Sequence, residues 1–185
     1  ASEGDESRAF ALLEALTNIG ATQGILSIRL QSLTERIRLH AARHRAGQCA
    51  PLLEDLDNLF VQQSHLTPVG LHPLLHLYRN LAHSYAALCS ALPADAEQWL
   101  EAAWPLAQQL NRGREMVQIQ AMQALLCDIQ GKSPDELLNA ALGRLRTHEI
   151  LRRSVAEREV AIGELLCSQH PEDVGLVFRP CARAV

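Results

Sequence analysis

LNRGREMVQIQAMQALLCDIQGKSPDELLNAALGRL, residues 110–145, admits two readings. Gly131-Lys132-Ser133 has the look of a phosphate loop, whereas the whole segment has the look of one brick in a helical stack. A phosphate loop runs G-x-x-x-x-G-K-[ST] between a strand and a helix, because its amides must cradle the anion. Its first glycine would fall at position 126, which is Leu126, and the residues before it carry helical periodicity. The segment therefore reads as helix, turn, helix. Gly131 ends the first helix, and Ser133-Pro134-Asp135-Glu136 opens the second, with Ser133 as cap, Pro134 at the first helical position and Glu136 completing a capping box.

Two more prolines extend this pattern backwards. Pro51 heads PLLEDLDNLF, Pro93 heads PADAEQWLEAAW and Pro134 heads PDELLNAALGRL, at intervals of 42 and 41 residues (93 minus 51, 134 minus 93). Proline is tolerated in a first helical turn and rare inside a helix, so each marks an expected helix start. The segments before them are also helical. Leu74, Tyr78, Leu81, Tyr85, Leu88 and Leu92 alternate steps of four and three, a narrow packing seam. In REMVQIQAMQALLCDIQ the apolar residues spread round most of the helix, which requires neighbours on two sides. Leu26, Leu30, Leu33 and Ile37 predict an earlier helix ending near Gly47. Helix pairs at a fixed period cannot bury their apolar faces alone and must stack. The expected fold is all-α, an α-solenoid of about three TPR-like antiparallel helix pairs plus a C-terminal helical stretch from about Thr147 to Ser168; a plain antiparallel bundle is the alternative. The expected domains are an acidic disordered tail at 1–8, the repeat domain at 9–170 and a C-terminal tail or linker at 171–185.

The composition agrees with that class. Aromatics make up 4% of the 185 residues, too few for a sheet protein of the usual kind, and the length suffices for a core without disulfides or metal. A net charge of -4 offers no global attraction to nucleic acid or anionic lipid. Cys49, Cys89, Cys127, Cys167 and Cys181 are odd in number and widely spaced, which suits reduced thiols and a cytoplasmic protein. No apolar run approaches a membrane span, so no membrane partner is expected.

Several clusters invite a sharper reading. His72, His76 and His83 share a helix face, but His72 and His83 would stand about 16 Å apart along it, at about 1.5 Å per residue. They cannot share one metal ion, and Pro73 places His72 at the helix start, so packing or surface histidines are expected and no cofactor. Arg29, Arg36 and Arg43, joined by Arg38, Arg45, His40 and His44, form a basic stripe. It lacks interleaved aromatics for stacking bases, and Glu54, Asp55 and Asp57 on the next helix are its expected partners. Trp99 and Trp104 point about 140° apart, so at most one should face the core fully. No nucleophile sits in a strand-to-helix turn and no catalytic constellation stands out; the chain reads as a non-enzyme.

AAWPLAQQLNRGREMVQIQAMQALLCDIQGKSPDELLNAALGRL, Ala102 to Leu145, resembles the helical repeat domain of the large ATP-dependent LuxR-family transcriptional regulators, of which the maltose-regulon activator is typical. Asn111-Arg112-Gly113-Arg114-Glu115 matches the family's GRGRE-like turn, Gln130-Gly131 its second break, and Leu137 to Leu142 its following helix. The match is fairly specific over roughly forty residues and thins to shared periodicity from Ile25 onward. The resemblance implies an ATPase module before the repeats, a superhelix that senses an inducer or partner, and a promoter-binding helix-turn-helix after them. SVAEREVAIGELL, Ser154 to Leu166, echoes the opening of that DNA-binding module, but CSQHPEDVGLVFRPCARAV follows with no recognition helix. DNA contact is therefore expected only through a helix-turn-helix module absent from this chain. The expected partner is a small-molecule inducer or a regulatory protein, with a homo-oligomer left open, and the expected binding residues are Tyr78, Arg79, Arg112, Arg114 and Gln118.

Overall fold

The computed structural model describes residues 3–66, 68–144 and 146. Its compact unit Ala1–Leu142 is built from six long helices. They are α1 (Glu3–Thr22), α2 (Leu26–Ala41), α3 (Ala46–Ser64), α4 (His72–Cys89), α5 (Pro93–Gln109) and α6 (Gly113–Ile129), with a 3-10 turn, Val69–Leu71, before α4. A further helix occupies 135–144. The described residues contain no strand, and the fold is all-α, with helices stacked in pairs. The pairs are α2 with α3, α4 with α5, and α6 with the helix at 135–144. Each helix packs on its sequence neighbour from α1 to α6, and α2 also packs on α4, so the first two pairs meet through their first helices as well as through α3 and α4. Among the described residues no helix is long and apolar enough to cross a membrane.

One turn type joins most of these helices. Gly24, His44, Ala91, Asn111 and Gly131 all have positive φ, between 51° and 70°. In all five, the residue after the turn donates its backbone N–H five positions back: Ile25 to Gly20, Arg45 to His40, Leu92 to Ala87, Arg112 to Ala107 and Lys132 to Cys127. This is the Schellman closure, which satisfies carbonyls the helix end leaves without partners. Ala91, Asn111 and Gly131 stand 20 residues apart (111 minus 91, 131 minus 111), as do Gly24 and His44 (44 minus 24). Half a repeat is thus one helix plus one such turn. The Gly131-Lys132-Ser133 segment is a helix end, and Ser133 Oγ accepts the Asp135 N–H at 3.3 Å. The side chain meeting Ser133 is Asp135, at 2.8 Å, in place of the expected Glu136.

Several boundaries differ from the sequence expectation. Helix α2 stops at Ala41, short of Gly47, because His44 takes the left-handed turn without a glycine to announce it. Helix α3 consequently starts at Ala46 and Pro51 lies inside it, while Pro93 does occupy a first-turn position in α5. The N-terminal segment expected as a disordered tail to residue 8 is helical from Glu3. Its Glu6 lies 2.8 Å from Arg45 and 3.3 Å from Arg43. The expected helical stretch from Thr147 to Ser168, the Ser154–Leu166 echo and the tail at 171–185 lie outside the described residues.

The core runs along α4. Leu74, Leu75, Leu77, Tyr78, Leu81 and Ala82 are all buried, together with Leu33 and Ile37 of α2, Leu56 and Leu59 of α3, Leu100 of α5 and Ile119 of α6. The predicted seam on α4 holds for Leu74, Tyr78 and Leu81, but burial extends to Leu75, Leu77 and Ala82 because α2, α3 and α5 all pack against this helix. Trp99 and Trp104 are both half-buried, so neither faces the core fully.

Candidate functional site

The first helices of the three pairs, α2, α4 and α6, together line a groove. Each contributes a stripe spaced by fours and threes, the period that keeps residues on one helix face. From α2 come Gln31, Glu35 and Arg38; from α4, Tyr78 and Tyr85; from α6, Arg114, Gln118, Ala121 and Leu125. The groove has two halves that share Gln118. One, of about 430 Å³, is walled by Ala41, Tyr85, Leu88, Met122 and Leu125, with Arg38 and His44 as its charged or titratable basic groups and no acid. The other, of about 300 Å³, is the more polar of the two, with Gln31, Ser32, Glu35, Tyr78, Arg114 and Glu115, and Leu13 and Leu16 of α1 close its far side.

Two hydrogen-bonded chains hold the polar half. Gln31 Nε2 donates to the Tyr78 hydroxyl at 2.8 Å, and that hydroxyl donates to Glu115 Oε1 at 2.7 Å. Burial, then the bond to Glu115, push the Tyr78 phenol well above its ordinary range, so it remains a donor. Glu115 is only 7% exposed, and among the described residues its carboxylate leans on this one hydroxyl. A buried carboxylate needs such compensation. Nearer the surface, Glu35 takes two cations: Arg38 Nε at 2.7 Å on Oε2 and Arg114 Nη2 at 2.6 Å on Oε1. Glu35 therefore ties α2 to α6 at the point where the two halves of the groove meet. The backbone carbonyl of Tyr78 also accepts from Thr34 Oγ1, at 3.4 Å, fixing α2 against α4.

The structure brings together Tyr78, Arg114 and Gln118 of the five expected binding residues. Arg112 is the residue at the start of α6; it lines neither half of the groove and acts on Tyr78 only through its charge. Arg79 lies elsewhere. Its Nε donates to Asp57 Oδ1 at 2.7 Å, and its guanidinium stands 4.9 Å from the Phe60 ring centroid and 5.3 Å from that of Trp99. His83 Nε2 also lies 3.0 Å from Asp57 Oδ1, and its ring stacks on Trp99 at 4.5 Å. Burial raises the Asp57 carboxyl, but the hydrogen bonds from His83 and Arg79 outweigh it and hold the pKa below the usual value. These contacts clasp α3, α4 and α5 together.

The basic stripe on α2 finds partners other than those expected. Arg43 and Arg45 meet Glu6 of α1, and Arg38 meets Glu35 of its own helix; Asp57 is taken by α4, and Glu54 and Asp55 are exposed. His40 stacks on Phe10 at 4.4 Å, and burial, helped by Arg45 and Arg36, lowers its pKa. Among the described residues no three His, Cys, Asp or Glu side chains converge to hold a metal.

Gln31, Glu35, Arg38, Tyr85 and Glu115 are groove residues that the sequence reading does not select. Their one local signal is the four-three stripe on α6, in which Arg114, Gln118, Ala121 and Leu125 share a face left largely uncovered by its neighbours. No family model, no curated protein and no solved structure matches the chain.

Proposed function

We propose that the chain is the ligand-sensing or protein-interaction domain of a LuxR-family transcriptional regulator of the large ATP-dependent kind, and that it does no chemistry itself. The observation that carries this reading is the groove along α2, α4 and α6, one half apolar and the other more polar. Its walls come from three successive helix pairs. A molecule seated there touches all three and favours whichever arrangement of the stack fits it best, which is how binding shifts a conformational equilibrium. The resemblance of Ala102 to Leu145 to that family's repeats supplies the transcriptional part of the reading. DNA contact belongs to a helix-turn-helix module outside this chain.

The test has two arms. Thermal denaturation against sugars, amino acids and aromatic metabolites should reveal a ligand, which at about a hundred times its dissociation constant stabilises by roughly 2.7 kcal/mol. The reading frame on either side of these residues should encode an ATPase and a helix-turn-helix. A frame with neither would replace the regulator with a self-contained scaffold binding a protein partner. One observation favours that second reading: Val61, Leu66, Val69 and Leu71, around the turn from α3 to α4, are 62%, 76%, 81% and 45% exposed. A cluster of exposed apolar side chains of this kind marks interaction surfaces.

A further inference from the structure

We propose that the apolar half of the groove is a site for an amphipathic monocarboxylate, its aliphatic or aryl body on Leu88, Met122 and Leu125 and its carboxylate received by Arg38 and the Tyr85 hydroxyl. This rests on the groove being the ligand site. Its volume, about 430 Å³, falls within the range of roughly 300–1,000 Å³ typical of small-molecule pockets. The chemistry of the lining is one-sided. Around apolar walls stand Arg38 and His44, and no carboxylate. An alkylamine would bury its charge beside a cation, and a polyol would leave most of its hydroxyls facing hydrocarbon without partners. A carboxylate on an apolar body satisfies both features at once.

Two groups are ready to receive that carboxylate. Tyr85 has no hydrogen-bond partner among the described residues, and burial keeps its phenol protonated, so its O–H is a free donor facing the groove. Arg38 is held by one bond, from Nε to Glu35 Oε2, and its side chain is 37% exposed. Glu35 keeps a second cation, Arg114, on its other oxygen. An incoming carboxylate can therefore replace Glu35 at Arg38 without stranding a charge, since Glu35 stays neutralised by Arg114. Charge-assisted bonds to arginine are strong enough to anchor such a ligand. The exchange leaves Glu35 with Arg114 as its one cation, so occupancy of the site is coupled to the ion pair that ties α2 to α6.

N-phenyl-1-naphthylamine, a neutral apolar fluorophore, tests the groove, and decanoate, decanol and decylamine test its chemistry, each below its micelle-forming concentration. Ala121 is an exposed groove residue, so Ala121→Trp fills the site without touching the core. The expected result is fluorophore binding lost in Ala121→Trp, and displacement by decanoate at least tenfold more effective than by decanol or decylamine. Arg38→Gln should erase that preference with decanol unaffected, and Glu35→Gln, which removes the internal competitor, should strengthen decanoate. Equal displacement by all three, or a preference that survives Arg38→Gln, overturns the carboxylate site and leaves the groove as a binding site. A fluorophore that does not bind, or binds Ala121→Trp as well as the parent, removes both.

Discussion

Tyr78 and Arg79 are neighbours on α4 and belong to different structures. Tyr78 is 4% exposed and turns toward α2 and α6, where its hydroxyl joins Gln31 to Glu115 at the edge of the groove. Arg79 turns toward α3 and α5, where Asp57, Phe60 and Trp99 enclose its guanidinium. The two clusters differ in what they leave available. Around Arg79 the guanidinium, the Asp57 carboxylate and the His83 ring engage one another, so the cluster is a clasp. Around Tyr78 a buried acid rests on the tyrosine hydroxyl, and open volume lies beside it. Polar residues of similar type, one position apart, thus become binding surface or structural glue according to which helices flank them.

Leu81 is fully buried in the middle of α4, the helix that carries both Tyr78 and Arg79. Leu81→Ala should cost about 2–5 kcal/mol, a loss in urea denaturation larger than that of any change to the groove or the clasp. Tyr78→Phe should cost about 1–3 kcal/mol, because the Gln31 amide and the buried Glu115 carboxylate lose their shared partner; adding Glu115→Leu should recover part of that loss in the same measurement. Ala91→Gly lies outside both clusters and should stabilise by about 0.5–1 kcal/mol, since alanine is held there at φ 55°.

Asp57→Asn should have the smallest effect at neutral pH, about 0.2–1 kcal/mol, because that ion pair is part-exposed. Its signature lies in acid. A carboxyl whose pKa is depressed on folding contributes stability that is present above the unfolded value of 3.8 and is lost as pH falls through the lower folded value. Parent and Asp57→Asn should therefore converge in stability below pH 3.8, in denaturation curves taken across that range. If Asp57→Asn proved as costly as Tyr78→Phe at neutral pH, the contrast between clasp and groove would fail.

Much of the fold is legible in single segments. The four-three spacing on α4, the spread of apolar residues round α6, Pro93 at the head of α5 and Gly131 at the end of α6 each act within one or two turns of helix, so neighbouring residues suffice to signal them. The turns at His44 and Ala91 are illegible for the opposite reason. A left-handed residue is announced by glycine, and here the surrounding packing holds a histidine and an alanine in that conformation at some cost. Pro51 misleads similarly, because α3 extends back past it to Ala46.

The sequence by itself determined the class of this protein, its helix pairs and their period, because helix periodicity and helix ends are set by residues within a few positions of one another. Only the tertiary structure decided which polar residues form the groove. Arg114 meets Glu35 from 79 positions away, Tyr78 meets Glu115 across 37, and Gln31 reaches Tyr78 across 47. Such partnerships depend on how one pair of helices rotates on the next, and that rotation is settled by the packing of Leu33, Leu77, Leu81 and Ile119 as one core, which no single segment contains.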